Sequence, residues 1–327
     1  MQQINWGIIG CGDVTEVKSG PAFNKVAQSS LVAVMRRDEA KVKDYAKRHN
    51  VPKYYTDAQA LINDPDINAI YIATPPDSHE AYTLAAITAG KPVYVEKPMT
   101  LNTASAIKMS NAANEKNVKL VVAHYRREQP IYQQLKTIIN SNIIGDIRLV
   151  KLLMIKKRLT NEQLNIDKTS WRVNTAIAGG GLFHDLAPHQ LDILYYLFGN
   201  VKTVQGIATN QSKTYQADDM VAGNILFENG IVFQGNWCFS IANITEEDTC
   251  EIIGEQGKIS FSFFNQAPLI VHANGMQQVY EFSPLQHVQQ PMIERVVQYF
   301  LGNTTNPCCG EEGITIMQWL DAIAKPL

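Results

Sequence analysis

The sequence contains no run of about 18 apolar residues, so no membrane-spanning helix is expected. It has no long basic stretch either: 29 Lys+Arg face 31 Asp+Glu, a net charge of −2, which argues against a nucleic-acid surface. Its five cysteines (Cys11, Cys238, Cys250, Cys308 and Cys309) are odd in number and show no CxxC spacing. Neither a disulfide framework nor a metal site is therefore expected, and reduced thiols are. The opening residues, MQQINWGIIG, offer neither the basic start nor the apolar core of a secretory leader, so the expected compartment is the cytoplasm. No internal repeat and no low-complexity tract interrupts the chain.

What is present is a chain of 327 residues, more than one hydrophobic core usually serves, so two domains are expected. Residues 1–123 alternate apolar strand-like runs with helical patterns. The runs are INWGIIG (4–10), SLVAVM (30–35), NAIYIAT (68–74), KPVYV (91–95) and KLVVAH (119–124). Between them lie DEAKVKDYAKRHN (38–50), with Val42, Tyr45 and Ala46 at helical spacing, SHEAYTLAAITAG (78–90) and a helix over about 103–116. Alternating βαβα with two-sided apolar strands predicts an α/β domain, a doubly wound parallel sheet covered on both faces.

Ligands bind such sheets at the carboxyl ends of the strands, where the strand order reverses. The residues least suited to a plain strand stand at those ends. After the first strand come Gly10, Cys11, Gly12, Asp13 and Val14, a G-x-G turn whose glycines would let backbone approach a pyrophosphate. The third glycine of that fingerprint is replaced by Thr15, and Gly20 with Pro21 should shorten the first helix. A tight turn with no ligand is the competing reading.

After the second strand come Arg36 and Arg37, where an NAD site would place an acid for the ribose 2′-OH. A guanidinium suits a 2′-phosphate, so NADP is favoured with NAD possible; two solvated loop arginines are the alternative. Asp38 reads as the N-cap of the following helix. Thr74, Pro75 and Pro76 end the third run. At the end of the next run Glu96, Lys97 and Pro98 break off a buried strand with two charges and an imino acid.

Residues 124–327 carry a different pattern, an α+β domain with a large, mostly antiparallel sheet. Strand-like runs cover 147–157, 219–228, 231–239, 250–263 and 268–273, with Asn229, Gly230 and Asn274, Gly275 as type I′ hairpin signals. One segment departs from this, GGGLFHDLAPHQLDILYYLFG (179–199), a glycine-led helix with Pro188 expected in or near its first turn. Asp185, His189 and Asp192 fall on one face of it, and a histidine beside carboxylates suits proton transfer near neutral pH. A capping aspartate and a solvated histidine fit the same spacing. Tyr125, within HYRR (124–127), and Trp171 with Arg172 are candidates for substrate contact or for purely structural roles.

The ordered set G-x-G, ATPPDSH, VEKP and GGG followed by DxxxH resembles the glucose–fructose oxidoreductase / inositol dehydrogenase (Gfo/Idh/MocA) family over nearly the whole chain. The resemblance implies a Rossmann domain and a C-terminal substrate domain whose open sheet makes homodimer or homotetramer contacts. It implies an NAD(P)-dependent dehydrogenase or reductase acting on a sugar-like or polyol alcohol or ketone. Residue by residue, Lys97 matches the family's catalytic lysine on a cis-like turn. Asp185 and His189 match the substrate-facing aspartate and the proton-exchanging histidine, and Thr74, Pro75 and His79 fall on the loop beside the cofactor. A dihydrodiol-type dehydrogenase and a non-catalytic NADP-binding sensor are the alternatives; Lys97, Asp185 and His189 speak against the sensor.

Overall fold

The computed structural model of the chain describes residues 2–165 and 170–324. The stretches 166–169 and 325–327, inside the expected second domain at 124–327, lie outside the described residues. The chain forms two compact units, Met1–Gln129 with Leu285–Met317 and Pro130–Pro284 with Gln318–Leu327. The sequence-based division after residue 123 gave all of 124–327 to one domain, whereas the first unit reaches Gln129 and takes back Leu285–Met317.

The first unit runs β1 (Ile4–Ile9), α1 (Asp13–Val17), β2 (Ser29–Met35), α2 (Glu39–Arg48), β3 (Lys53–Tyr55), α3 (Ala58–Asn63), β4 (Ala69–Ile72), α4 (His79–Thr88), β5 (Val93–Val95), α5 (Thr103–Glu115) and β6 (Leu120–Val122). All six strands are parallel, in the order β3-β2-β1-β4-β5-β6. The order reverses between β1 and β4, which makes their carboxyl ends the switch point. Asp38 caps α2 through the Lys41 N–H, as expected; Asn102 caps α5 in the same way through the Ser105 N–H. As expected, α1 stops at Val17, and Gly20–Asn24 form a separate 3-10 turn.

The core of this unit is aromatic. Trp6 is fully buried, with Phe23 at 4.8 Å and Phe300 at 5.5 Å between ring centroids. Phe300 comes from the returning segment, and a core phenylalanine truncated to alanine typically costs about 3–5 kcal/mol, so residues near 300 are integral to this core.

The second unit contains α6 (Pro130–Asn140), β7 (Ile147–Lys157), α7 (Asn161–Leu164), α8 (Thr175–Ala178), α9 (Gly181–Phe198) and β8 (Val201–Thr209). There follow β9 (Met220–Phe227), β10 (Val232–Ile241), β11 (Glu247–Gly254), β12 (Gly257–Phe261), β13 (Leu269–Ala273) and β14 (Met276–Tyr280). After Pro284 the chain forms α10 (Gln290–Leu301) in the first unit, then α11 (Gly310–Ile323), along which it passes from the first unit to the second. The eight-stranded sheet, ordered β14-β13-β12-β11-β7-β10-β9-β8, is antiparallel except for the β7–β10 pair. Helix α9 covers one face: Phe183 packs edge-on to Trp237 at 5.0 Å, Phe198 on Phe227 at 5.4 Å, and Gln190 accepts from the Trp237 indole at 2.6 Å.

Three local expectations are corrected. Pro188 lies inside α9, not near its first turn, because the helix already starts at Gly181; lacking an N–H, it leaves the His184 carbonyl without its intrahelical bond. Asn229 does not adopt positive φ while Gly230 does (φ +89°), and the Gly230 N–H returns to the Phe227 carbonyl. That hairpin is therefore a three-residue turn ending in a left-handed glycine, not type I′; Asn274 (φ +53°) and Gly275 (φ +71°) do form the expected type I′ turn. Residues 250–263 are not one strand but the β11–β12 hairpin. Strands β3 and β8 and helices α3, α7, α8, α10 and α11 were not anticipated.

Candidate functional site

In the first unit the predicted residues gather on the carboxyl edge of the parallel sheet. Gly10 has φ +96°, and a Cβ there would lie 2.7 Å from Thr74 Cγ2 and 2.8 Å from the Thr74 N, so only glycine lets the β1 and β4 loops touch. The N–H groups of Gly10 and Cys11 both reach the Met35 carbonyl, at 3.0 and 3.2 Å, binding the turn to the end of β2. Cys11 is fully buried, and burial pushes its thiol up to about 12 against the opposing pull of Arg36, so the side chain fills space as a neutral thiol. Thr15, in the third-glycine position, is buried; its hydroxyl donates to the Gly12 carbonyl at 2.8 Å and its own carbonyl accepts from Tyr45 at 2.7 Å. The departure from the fingerprint is absorbed by hydrogen bonds inside the turn.

Arg36 is half-buried and donates to the Cys11 carbonyl at 3.2 Å, which lays its guanidinium along the glycine turn; Arg37 is exposed. Asp13 is exposed and Val14 half-buried on the same turn. On the β4 loop, Ser78 donates to Thr74 Oγ1 at 2.8 Å, and Pro76 is buried.

His79 is wholly buried. Its Nε2 lies 2.8 Å from the Thr74 carbonyl, and its Nδ1 lies 3.1 and 3.3 Å from those of Pro98 and Met99. Burial holds its pKa below the usual histidine value, although the carbonyls and Glu96 act the other way. The ring thus ties the β4 loop to the turn after β5 and shapes both loops rather than presenting a side chain on either.

The turn after β5 answers why charge follows a buried strand. The Lys97–Pro98 peptide is cis, Lys97 is half-buried, and the Glu96 carboxylate points inward at 6% exposure. Glu96 Oε1 accepts from the Tyr71 hydroxyl and from Gln289 Nε2, both at 2.6 Å, and Oε2 accepts from the Lys97 N–H at 3.2 Å. Burial and the Glu96 charge raise the Tyr71 pKa well above normal, which keeps that hydroxyl a donor. Tyr71 and Gln289 escaped sequence reading: one looks like an ordinary strand residue, the other lies 193 positions away from Glu96.

Tyr125 is buried, with the Arg126 guanidinium 5.7 Å from its ring. Arg127 is also buried; it pairs with Glu312 at 2.8 Å and donates to the Pro307 carbonyl at 3.2 Å, a structural anchor for the returning segment rather than a site residue.

In the second unit the remaining candidates collect around the start of α9. A Cβ on Gly180 would fall 1.8 Å from His184 Nδ1, so the glycine run makes room for that buried histidine. Asp185 is half-buried and pairs with Arg172, Nε to Oδ2 at 3.2 Å, while the Arg172 guanidinium lies 4.7 Å over the Trp171 ring. One turn along α9, His189 is 5% exposed and meets the edge-on ring of Phe264 at 5.8 Å. Asp192 is buried on the same helix. Phe264 is placed by Asp248, whose carboxylate accepts from the N–H groups of Phe263, Phe264 and Asn265 at 3.2, 2.5 and 3.0 Å. Neither residue was foreseen, since a lone aspartate on a strand carries no sequence signal for a loop 15 residues away.

The model of an oxidoreductase family with an NAD-binding Rossmann fold matches residues 4–124, and the Gfo/Idh/MocA C-terminal domain model matches residues 132–260. The chain belongs to the Gfo/Idh/MocA family. An oxidoreductase of Formosa agariphila is 46% identical over 319 residues, covering 98% of each chain. The trans-1,2-dihydrobenzene-1,2-diol dehydrogenase of Bos taurus is 30% identical over 255 residues, 78% of this chain and 72% of that protein. Among solved structures, a levoglucosan dehydrogenase in complex with NADH and levoglucosan has a similar fold, with a TM-score of 0.85 at 22% identity over 99% of this chain and 97% of that one. The chain is thus an NAD(P)-dependent oxidoreductase of this family. Among the described residues no helix is long and apolar enough to cross a membrane, and no group of His, Cys, Asp and Glu is arranged to hold a metal ion.

Proposed function

We propose that this protein is an NADP-preferring dehydrogenase or reductase of a sugar-like or polyol alcohol/ketone pair. The observation that carries the reading is the Glu96–Pro98 turn: a lysine anchored by a buried carboxylate, at the carboxyl edge of a parallel sheet beside its switch point. The β1 turn suits a dinucleotide, because Gly10 and Gly12 carry no side chains and its backbone can approach a pyrophosphate closely. Gly10 to Val14 would hold the pyrophosphate, Arg36 and Arg37 the 2′-phosphate, and Thr74, Pro75 and Pro76 would border the nicotinamide ring. When bound, the cofactor supplies or accepts the hydride.

The chain's own residues handle the proton and the oxygen. The Lys97 ammonium donates to the reacting oxygen and stabilises charge that builds on it in the transition state. His189 exchanges the substrate's hydroxyl proton. Asp185, held by Arg172, orients the substrate, and Trp171 offers a ring face on which a sugar can stack. A second reading, a dihydrodiol substrate, is favoured by the Phe264 ring beside His189 and by the likeness to the bovine dihydrodiol enzyme.

A homo-oligomer built through the second unit's sheet is part of this proposal. On the face away from α9, Ile207 and Val232 are exposed, and Val232 lies in register between half-buried Leu149 and Leu226. Light scattering at micromolar concentration is expected to show a dimer or tetramer, and a monomer would refute this part.

The function is tested by a panel of sugars, inositols and diols followed by nicotinamide absorbance with each cofactor. NADP(H) is expected to bind roughly tenfold or more tightly than NAD(H), and Arg36→Asp to abolish the difference. Equal affinities in the wild type, or no turnover across the panel, would count against the reading.

A further inference from the structure

The network beneath Lys97 is completed from the other end of the chain. Gln289, fully buried just before α10, donates from Nε2 to Glu96 Oε1 at 2.6 Å and accepts at Oε1 from the Tyr94 hydroxyl at 3.3 Å. Its backbone N–H is bound to the Lys18 carbonyl at 3.1 Å, so the residue is fixed at both ends. Its neighbourhood is clipped to the same unit: His287 Nδ1 lies 2.6 Å from the Val17 carbonyl, and Lys25 donates to Gln286 at 2.9 Å.

Only one orientation of the amide satisfies both neighbours, because turning it over would set its carbonyl oxygen against the Glu96 carboxylate. Among uncharged side chains, an amide of this length is suited to donate to a carboxylate and accept from a phenol at once. A buried carboxylate must be hydrogen-bonded, and here it passes that constraint on, since its second oxygen grips the N–H of Lys97.

We propose that Gln289 is a positioning residue for Lys97. It fixes the Glu96 carboxylate, which fixes the Lys97 backbone, so the segment returning at residue 285 sets the point from which the lysine projects. The inference rests on the reading of Lys97 as the group that meets the reacting oxygen. It adds that a dinucleotide domain cut after residue 123 would lack part of its own lysine turn.

The test uses the full chain and three variants. Gln289→Met keeps length and removes both hydrogen bonds, Gln289→Glu donates to Glu96 only while a proton is shared between the two carboxyls, and Tyr94→Phe removes only the bond that orients the amide. Four quantities are measured: NADP(H) affinity, turnover on the substrate found by the panel, the thermal midpoint, and the rate at which an amine-acylating reagent labels Lys97, followed by mass spectrometry.

Gln289→Met is expected to lower turnover by about tenfold, the order expected for losing the one of its two bonds that reaches Glu96, with cofactor affinity within about twofold and an altered Lys97 labelling rate. Gln289→Glu is expected to approach wild-type turnover at acid pH and to lose it as pH rises and the pair gives up its shared proton, a limb absent from the wild type. A merely structural role would lower the thermal midpoint and turnover without creating that limb. Should Gln289→Met fail to fold, Gln289→Glu and Tyr94→Phe decide the matter. Unchanged turnover and Lys97 labelling across the folded variants would overturn the proposal. If instead Lys97→Met keeps wild-type turnover, the catalytic reading fails, while the labelling rates still decide whether Gln289 positions the lysine.

Discussion

Arg172 Nε lies 3.2 Å from Asp185 Oδ2, with the guanidinium held over the Trp171 ring. The two residues that looked like separate substrate contacts are therefore one paired unit. Under the proposed function a substrate would meet a fixed carboxylate with its cation already beside it, a geometry suited to hydroxyl groups, which can donate to one partner and accept from the other.

Removing that cation should be felt by the substrate more than by the fold. Both side chains are about a quarter exposed (27% and 24%), and pairs of this kind contribute roughly 0–1 kcal/mol to stability. Arg172→Ala is expected to raise KM by about tenfold while the thermal midpoint stays near the wild-type value. Steady-state kinetics beside thermal unfolding checks this, and an unchanged KM would remove Arg172 from the substrate's surroundings.

Asp248 should matter for both stability and selectivity. Its carboxylate accepts three loop N–H groups, and a deprived buried donor costs about 1–3 kcal/mol, so Asp248→Ala is expected to lose about 2–4 kcal/mol with some re-solvation. Because the same loop seats Phe264 against His189, Phe264→Ala is expected to lower kcat/KM for aromatic diols more than for sugars. Denaturant midpoints and a comparison of the two substrate classes decide both points.

Acid should weaken the first unit in a predictable window. The Arg48 guanidinium, opposed by partial burial and assisted by His49, holds the Glu16 carboxyl at about 2 against an ordinary 4.5. Asp64 is likewise at about 2: burial raises it, but the bonds from Lys53, Tyr55 and the Asp66 N–H outweigh that. A carboxylate whose folded pKa is depressed contributes stability that is complete above its unfolded value and lost as pH falls through the folded one. The loss should therefore run from about pH 5 down to about pH 2. Glu16→Gln should flatten part of that limb in urea midpoints collected across the window; an identical limb would show that Glu16 carries none of it.

The sequence made the parallel sheet legible because each of its strands but β3 is apolar on both faces, and each odd residue stood at a carboxyl end. Lys97, Asp185 and His189 were singled out through their motif, and their roles stand as part of the proposal. The rest was hidden for physical reasons. Strand β3 has three residues, and β8 is an edge strand whose polar alternation resembles a loop. Met292, Ile293, Val296, Val297 and Phe300 do follow helical spacing, a readable signal for α10 that the strand-rich surroundings masked. Gln289, Tyr71, Asp248 and Phe264 act through contacts between distant segments, which no local pattern encodes.

Histidine and lysine should separate in their kinetic signatures. Proton exchange by a positioned group typically contributes 10²–10⁴-fold, so His189→Ala is expected to lower turnover by about that factor with cofactor affinity nearly intact. A loss confined to KM, with turnover unchanged, would leave His189 a binding residue only.

The central claim, that Lys97 meets the reacting oxygen, is tested most directly by the turnover of Lys97→Met on the substrate found by the panel, with NADP(H) affinity measured on the same preparation. The account predicts turnover lower by about 10²-fold or more, because the charge removed acts chiefly in the transition state, and cofactor affinity within a few-fold of wild type. Turnover near the wild-type value with the cofactor bound would contradict it.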